Sequence, residues 1–163
     1  LHKAIRRQRQ MCIRDSIYHK HPEHFTVSYN ASGKPSVANA PFFNLSHSND
    51  FVMLAVSDTP VGCDIEKLHK TVLSHHVFHP NELDALSNLP SGDIQNHEFL
   101  RLWTAKEAFL KAIGTGIDAK ASSYDFSKSN TISLDDGSFW KLEHHTVCDF
   151  PDYLSCVCYK CLQ

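Results

Sequence analysis

The sequence predicts an α+β fold in which mostly antiparallel strands pack against a few helices. Short segments with alternating apolar side chains, separated by turn residues, fill residues 24–66 and return between residue 124 and the end of the chain. Between them, residues 96–114 carry apolar side chains at helical spacing. A hydrophobic content of 42% in 163 residues is typical of a globular protein with a packed core.

Four strands are expected in the first part of the chain. Each alternates or is continuously apolar and ends at turn residues, and they are HFTVSY (24–29), PFFNLSHS (41–48), FVMLAVS (51–57) and VGCDIE (61–66). The segment NASGKP (30–35) reads as a turn. The residues Asp58, Thr59 and Pro60 also favour a turn, so we expect the last two strands to form a hairpin.

Helices are expected in the middle of the chain. Residues 68–78 fit a helix that is broken before Pro80. Residues 81–89 begin with Asn81, a suitable N-cap. The strongest helical pattern covers residues 96–114 and ends at a glycine.

Strands are expected again at the end of the chain. Residues 124–147 alternate around the turn at Asp135, Asp136 and Gly137. Residues 152–161, DYLSCVCYKC, read as a final strand in which the cysteines fill small buried positions. The spacing of these cysteines has no matching second half that would indicate a zinc site.

Charge and hydropathy exclude several classes of partner. The formal net charge is −2, which gives no general attraction to nucleic acid or to an anionic membrane. No apolar run approaches the roughly 18 residues that a membrane helix needs. The N-terminus lacks the apolar core of a secretory signal, so we expect a cytoplasmic protein with reduced thiols.

Two acidic residues fall on the same face of one predicted strand. In VGCDIE, Asp64 and Glu66 flank Ile65, and side chains two apart in a strand point the same way. Two neighbouring carboxylates repel each other unless a cation lies between them. The pair therefore indicates either a solvated strand face or one side of a cation site.

The long helix carries polar residues on and beside its apolar face. Lys106 falls in the middle of that face, Glu107 lies at its edge, and Lys111 follows Glu107 by one turn. The ordinary interpretations are an i, i+4 ion pair and a lysine whose ammonium reaches solvent. If Glu107 approached the two strand acids, three carboxylates would instead form an oxygen-rich site suited to Mg²⁺, with a lysine facing substrate phosphate.

Three segments in this order resemble the signature motifs of a known family. FNLSHS, VGCDIE and WTAKEAFLK are similar to those of the 4′-phosphopantetheinyl transferases, and closest to the Sfp-like group. GKP, ahead of the first motif, also matches. The resemblance covers residues 25 to about 160. Cys63 stands where the family usually has valine or isoleucine.

The resemblance implies a fold and a reaction. The fold is a pseudo-symmetric pair of α/β lobes with coenzyme A in the cleft between them, in a monomeric enzyme. The reaction transfers the 4′-phosphopantetheine arm of coenzyme A to a serine of an acyl or peptidyl carrier protein. It requires Mg²⁺ and releases adenosine 3′,5′-bisphosphate.

The resemblance also implies roles for the polar residues of the second and third motifs. Asp64, Glu66 and Glu107 match the Mg²⁺ ligands. Glu107, directly or through a metal-bound water, matches the base that accepts the serine proton. Lys111 matches the lysine that contacts the pyrophosphate.

Further residues match the coenzyme site. Ser46 and His47 match the pair that meets the phosphates, and Lys106 matches a lysine beside the metal glutamate. Glu82 matches an acid in a helix expected to face the carrier protein. The segment that lines the adenine is matched by Gly33, Lys34 and Pro35.

The resemblance divides the chain into three parts. Residues 1–20 follow no family pattern and are expected to be a truncated or non-native start. Residues 21–60 are expected to be the remainder of an incomplete first lobe, and residues 61–163 the second lobe with the metal site. Two other functions stay open: a non-catalytic module that binds coenzyme A, and a Mg²⁺-dependent phosphohydrolase.

Overall fold

The computed structural model describes residues 26–68, 76–117, 120–147 and 149–162, and it confirms the α+β class. The predicted start at 1–20 and most of the predicted helix at 68–78 lie outside these ranges. The elements are β1 (Val27–Tyr29), β2 (Pro35–Val37), β3 (Phe42–Ser48), β4 (Phe51–Ser57), β5 (Val61–Lys67), α1 (Pro80–Ser87), α2 (Asp93–Ile113), a 3₁₀ turn (Ala121–Ser123), β6 (Thr131–Ser133), β7 (Phe139–Val147) and β8 (Phe150–Lys160).

The strands form three antiparallel sheets. β1 pairs with β2, β3 pairs with β4, and the third sheet has the order β5-β8-β7-β6. The predicted hairpin of β4 with β5 is wrong. β4 instead closes a tight hairpin with β3, in which Asn49 adopts a positive φ of 48°. β5 pairs instead with β8, the longer strand, from Val61 opposite Tyr159 to Lys67 opposite Tyr153.

The core lies between α2 and the four-stranded sheet. Leu102, Phe109 and Leu110 of α2 are fully buried there. The Phe109 ring makes edge contacts with Phe126 and Trp140, at centroid distances of 5.5 and 6.1 Å. Burial of large side chains of this kind stabilises a fold by about 1.5–3 kcal/mol each. Although α2 has 21 residues, no helix of the described ranges is long and apolar enough to cross a membrane.

Gly62 lets α2 approach the sheet closely. A Cβ atom at this position would lie 2.1 Å from the carbonyl oxygen of Ala108 and 2.3 Å from the amide nitrogen of Ala112. These are backbone atoms of a helix, so they cannot move aside as a flexible side chain would. The glycine of VGCDIE therefore fixes the distance between β5 and α2.

We expect Gly62→Ala to lower the free energy of unfolding by about 1–3 kcal/mol, the usual penalty for overpacking. The helix must shift away from β5 to accept the added methyl group. Chemical denaturation of the wild type and the variant measures the change. Equal stability would contradict the close approach of the two elements.

The N-cap of α1 lies two residues earlier than predicted. His79, not Asn81, is the N-cap, and Pro80 occupies the first helical position, where its fixed φ suits a helix. Glu82 completes a capping box, because its Oε2 accepts the His79 N–H at 2.8 Å. Residues 76–78 form a turn before this cap.

Candidate active site

Three polar side chains of β3 attach this strand to β5. Among the described residues β5 is an edge strand, with β8 on one side only. Side chains of alternate β3 residues accept hydrogen bonds from the N–H groups that β5 directs away from β8. The bonds are Cys63 N to Asn44 Oδ1 at 2.8 Å, Ile65 N to Ser46 Oγ at 3.4 Å and Lys67 N to Ser48 Oγ at 3.1 Å. These bonds satisfy the sheet edge and fix the register of FNLSHS against VGCDIE.

Asn44 and Ser48 were not among the predicted site residues. The signal was present in the sequence, since both share a strand face with Ser46 and alternate there with Phe43, Leu45 and His47 of the other face. Ser48 also donates to Glu66 Oε2 at 3.2 Å. The first motif thus supports both acids of the second motif, Asp64 through Ser46 and Glu66 through Ser48.

Asp64 is the most enclosed of the three predicted Mg²⁺ ligands, with 2% of its surface exposed. Its Oδ1 accepts hydrogen bonds from Ser46 Oγ at 2.7 Å and from Lys111 Nζ at 2.6 Å. Its Oδ2 is buried and has no hydrogen-bond partner among the described residues. Burial raises the pKa of Asp64, and the Lys111 ammonium offsets this only in part.

Glu107 and Lys111 reach the same place from one face of α2. Glu107 Oε2 lies 3.8 Å from Lys111 Nζ. Burial raises the pKa of Glu107, and the negative charges of Asp64 and Glu66 raise it further against the effect of Lys111. Burial lowers the pKa of Lys111, but the nearby carboxylates raise it by more, and Asp64 contributes most among them. The pKa of Lys111 is therefore above its usual value. The two motifs therefore form one electrostatically coupled cluster.

The donor set of this cluster fits a hard divalent cation. No three His, Cys, Asp or Glu side chains of the described ranges lie at metal-binding spacing in this arrangement, in which Lys111 Nζ lies 2.6 Å from Asp64 Oδ1. Asp64 Oδ2 is nevertheless a buried carboxylate oxygen without a hydrogen-bond partner among the described residues. Carboxylate oxygens are the ligands that Mg²⁺ prefers. The assignment of the three acids as Mg²⁺ ligands therefore stays a prediction with which the chemistry agrees.

Ser46 and His47, predicted to act as a pair, lie on opposite faces of β3. Ser46 is 6% exposed and is held between Asp64 and Lys111, which donates to its Oγ at 3.2 Å. His47 is exposed on the outer face of the β3–β4 hairpin. The structure brings Ser46 into the acidic cluster and leaves His47 outside it. A contact of either residue with phosphate remains a prediction.

Lys34 and Pro35 line a groove of about 430 Å³ beside the C-terminal end of α2. The other lining residues come from β2, from the segment after it and from the helix end: Asn30, Ser36, Val37, Asn39, Ala40, Pro41, Phe42, Phe43, Pro60, Ala112, Ile113 and Gly114. Gly33 does not line the groove but makes the adjoining turn, with a φ of 80°. Lys34 Nζ donates to Val61 O and Ala112 O, each at 2.9 Å.

Lys106 of α2 and Glu82 of α1 form a buried ion pair. Lys106 is 1% exposed and Glu82 0% exposed, and their charged groups meet at 2.9 Å. Lys106 Nζ also donates to the carbonyl oxygens of Ala121 and Tyr124. The interpretation of Lys106 as a lysine with a solvated ammonium is wrong. The ammonium of Lys106 is enclosed and therefore not accessible to a coenzyme in this arrangement. That the helix of Glu82 faces a carrier protein stays a prediction.

Comparison with known proteins agrees with these motifs. The family model of the 4′-phosphopantetheinyl transferase superfamily matches residues 60–158, which include β5, α2 and β8. Three relatives are 4′-phosphopantetheinyl transferases by name. They are gsp of Aneurinibacillus migulanus, 36% identical over 69% of this chain and 48% of that protein; psf-1 of Bacillus pumilus, 41% identical over 57% and 41%; and Sfp of Bacillus subtilis, 34% identical over 56% and 42%.

The chain spans about half the length of the curated relatives that it matches. The matched region nevertheless holds both strand acids together with Glu107 and Lys111. The match covers well over half of the chain. The protein therefore belongs to the 4′-phosphopantetheinyl transferase superfamily.

Proposed function

We propose that this protein transfers the 4′-phosphopantetheine arm of coenzyme A to a serine of an acyl or peptidyl carrier protein, in a Mg²⁺-dependent reaction. The serine oxygen forms a bond to the phosphorus that bears the pantetheine arm. The bond from that phosphorus to the bridging oxygen of the pyrophosphate breaks, and adenosine 3′,5′-bisphosphate leaves.

The observation that carries this proposal is the meeting of the second and third motifs. Asp64 on β5 and Glu107 on α2 share Lys111, at 2.6 and 3.8 Å from its Nζ. A cluster of carboxylates with one ammonium suits the recognition of a pyrophosphate and a cation together. The names of the related proteins support the same activity.

In this proposal Asp64, Glu66 and Glu107 hold Mg²⁺, which neutralises charge on the pyrophosphate when bound. Glu107 also accepts the serine proton. As a carboxylate, Glu107 offers the acceptor oxygens that this role needs. When coenzyme A is bound, the Lys111 ammonium contacts a phosphate oxygen in place of the Asp64 carboxylate and orients the group that is transferred.

Incubation of the protein with Mg²⁺, coenzyme A and an apo carrier protein tests the proposal. We expect intact-protein mass spectrometry to show one added phosphopantetheine group on the carrier, and none on a carrier whose acceptor serine is replaced by alanine. No mass shift with any of several carriers would contradict the proposal. Breakdown of coenzyme A without a carrier would favour a phosphohydrolase, and binding without turnover would favour a non-catalytic module.

A further inference from the structure

The C-terminal end of α2 is capped by a separate part of the chain. Gly114 takes a left-handed conformation with a φ of 78°, and the carbonyl groups near it lack helical partners. The turn between β1 and β2 supplies three side-chain donors to these carbonyls: Asn30 Nδ2 to Gly114 O at 2.8 Å, Ser32 Oγ to Thr115 O at 2.9 Å and Lys34 Nζ to Ala112 O at 2.9 Å.

Asn30 has two tasks in this contact. Its Oδ1 accepts the N–H groups of Ser32 at 3.0 Å and Lys34 at 2.8 Å, which gives the turn its shape. Its Nδ2 donates to Gly114 O, which ties the shaped turn to the helix. One amide side chain therefore both builds the turn and attaches it across more than 80 positions of sequence.

The same contact closes one end of the 430 Å³ groove. Asn30, Lys34 and the strand β2 form one wall, and Ala112 to Gly114 form the other. Pockets of 300–1,000 Å³ with mainly apolar walls are typical of small-molecule sites. Pro35, Val37 and Phe43 supply such walls here. The hydrogen bonds of Asn30 and Lys34 join the two walls.

We propose that Asn30 is a positioning residue for the nucleotide part of coenzyme A. By holding the turn 30–34 against the end of α2, it sets the width of the groove in which the adenosine moiety lies. Asn30 takes no part in the transfer itself, because its hydrogen bonds go to Gly114, Ser32 and Lys34 and to no side chain of the acidic cluster. This inference rests on the proposed function.

The variant Asn30→Asp tests the inference. It keeps the Oδ1 acceptor that shapes the turn, but it places a carboxylate oxygen against Gly114 O where the amide had donated. We expect the Kd for adenosine 3′,5′-bisphosphate, measured by titration calorimetry, to rise about tenfold. The variant loses the hydrogen bond to Gly114 O and adds repulsion between the new carboxylate and that oxygen. The KM for coenzyme A should rise in parallel while kcat stays unchanged.

Two further variants separate positioning from general stability. Ser32→Ala removes one anchor without adding charge, and we expect a smaller rise in the same Kd. Ser28→Ala removes a hydroxyl whose hydrogen bond, to Ser36 Oγ at 3.2 Å, lies within the same hairpin and does not involve α2. We expect Ser28→Ala to bind the bisphosphate as the wild type does.

The outcomes also distinguish this inference from the proposed function. Unchanged bisphosphate affinity in Asn30→Asp, or a fall in kcat with an unchanged KM, would overturn the positioning role. A wild type that does not bind the bisphosphate would overturn the assignment of the groove. A wild type that binds it, loses affinity in Asn30→Asp and transfers nothing would support the positioning role and contradict the transferase activity.

Discussion

Glu107→Gln should reduce phosphopantetheine transfer by about 100-fold or more, the range lost when a general base is removed. The amide keeps the shape of the side chain but can neither accept the serine proton nor carry the charge that a cation site needs. Initial rates of carrier modification at saturating coenzyme A measure the effect. Activity close to that of the wild type would contradict the assignment of Glu107.

The same variant should not lose stability. A carboxyl group whose pKa is raised in the folded protein destabilises the fold when ionised, so the free energy of unfolding falls as pH rises through that pKa. Glutamine removes this penalty, and in metal-free buffer at neutral pH we expect equal or greater stability. Glu98→Gln is the matched control. Glu98 lies on the same helix and pairs with Arg101 at 2.7 Å, and its replacement should leave transfer intact.

Lys106→Met, one residue away, should have the opposite effect. We expect a loss of about 3–5 kcal/mol in the free energy of unfolding, because Glu82 is left as a buried charge without its cation. Chemical denaturation measures this. The double variant Glu82→Gln with Lys106→Met should be more stable than Lys106→Met alone, since neither charge is then buried.

The control for this pair is a surface ion pair in the same protein. Lys141 and Glu143 meet at 3.0 Å on β7 with about half of each side chain exposed. We expect Lys141→Met to change stability far less than Lys106→Met, because water already solvates both partners. Equal effects of the two substitutions would show that Lys106 is not structurally important, and the buried pair would then need another explanation.

Local patterns predicted most elements of this fold. The alternation of FVMLAVS and the apolar face of residues 96–114 reflect interactions within one strand or helix, so they can be read from a short segment. Strand pairing could not be read in this way. Whether β5 pairs with β4 or with β8 depends on a segment about 90 residues further along the chain.

In the candidate site, too, some features follow from the local sequence and others depend on distant segments. The face shared by Asp64 and Glu66 follows from strand geometry, and in the structure the charges of both acids act on the pKa of Glu107. The role of Lys106 could not be predicted, because its partner Glu82 lies on another helix. A lysine on an apolar face is solvated or paired according to what packs over it, and the helix alone does not contain that information.

The side-chain bonds between β3 and β5 have a consequence for self-association. An exposed edge strand can recruit a strand from another molecule and so begin aggregation. In this protein Asn44, Ser46 and Ser48 occupy the N–H groups through which β5 would accept such a strand. The residues that support the acidic cluster thereby also protect the β5 edge of the sheet from intermolecular extension.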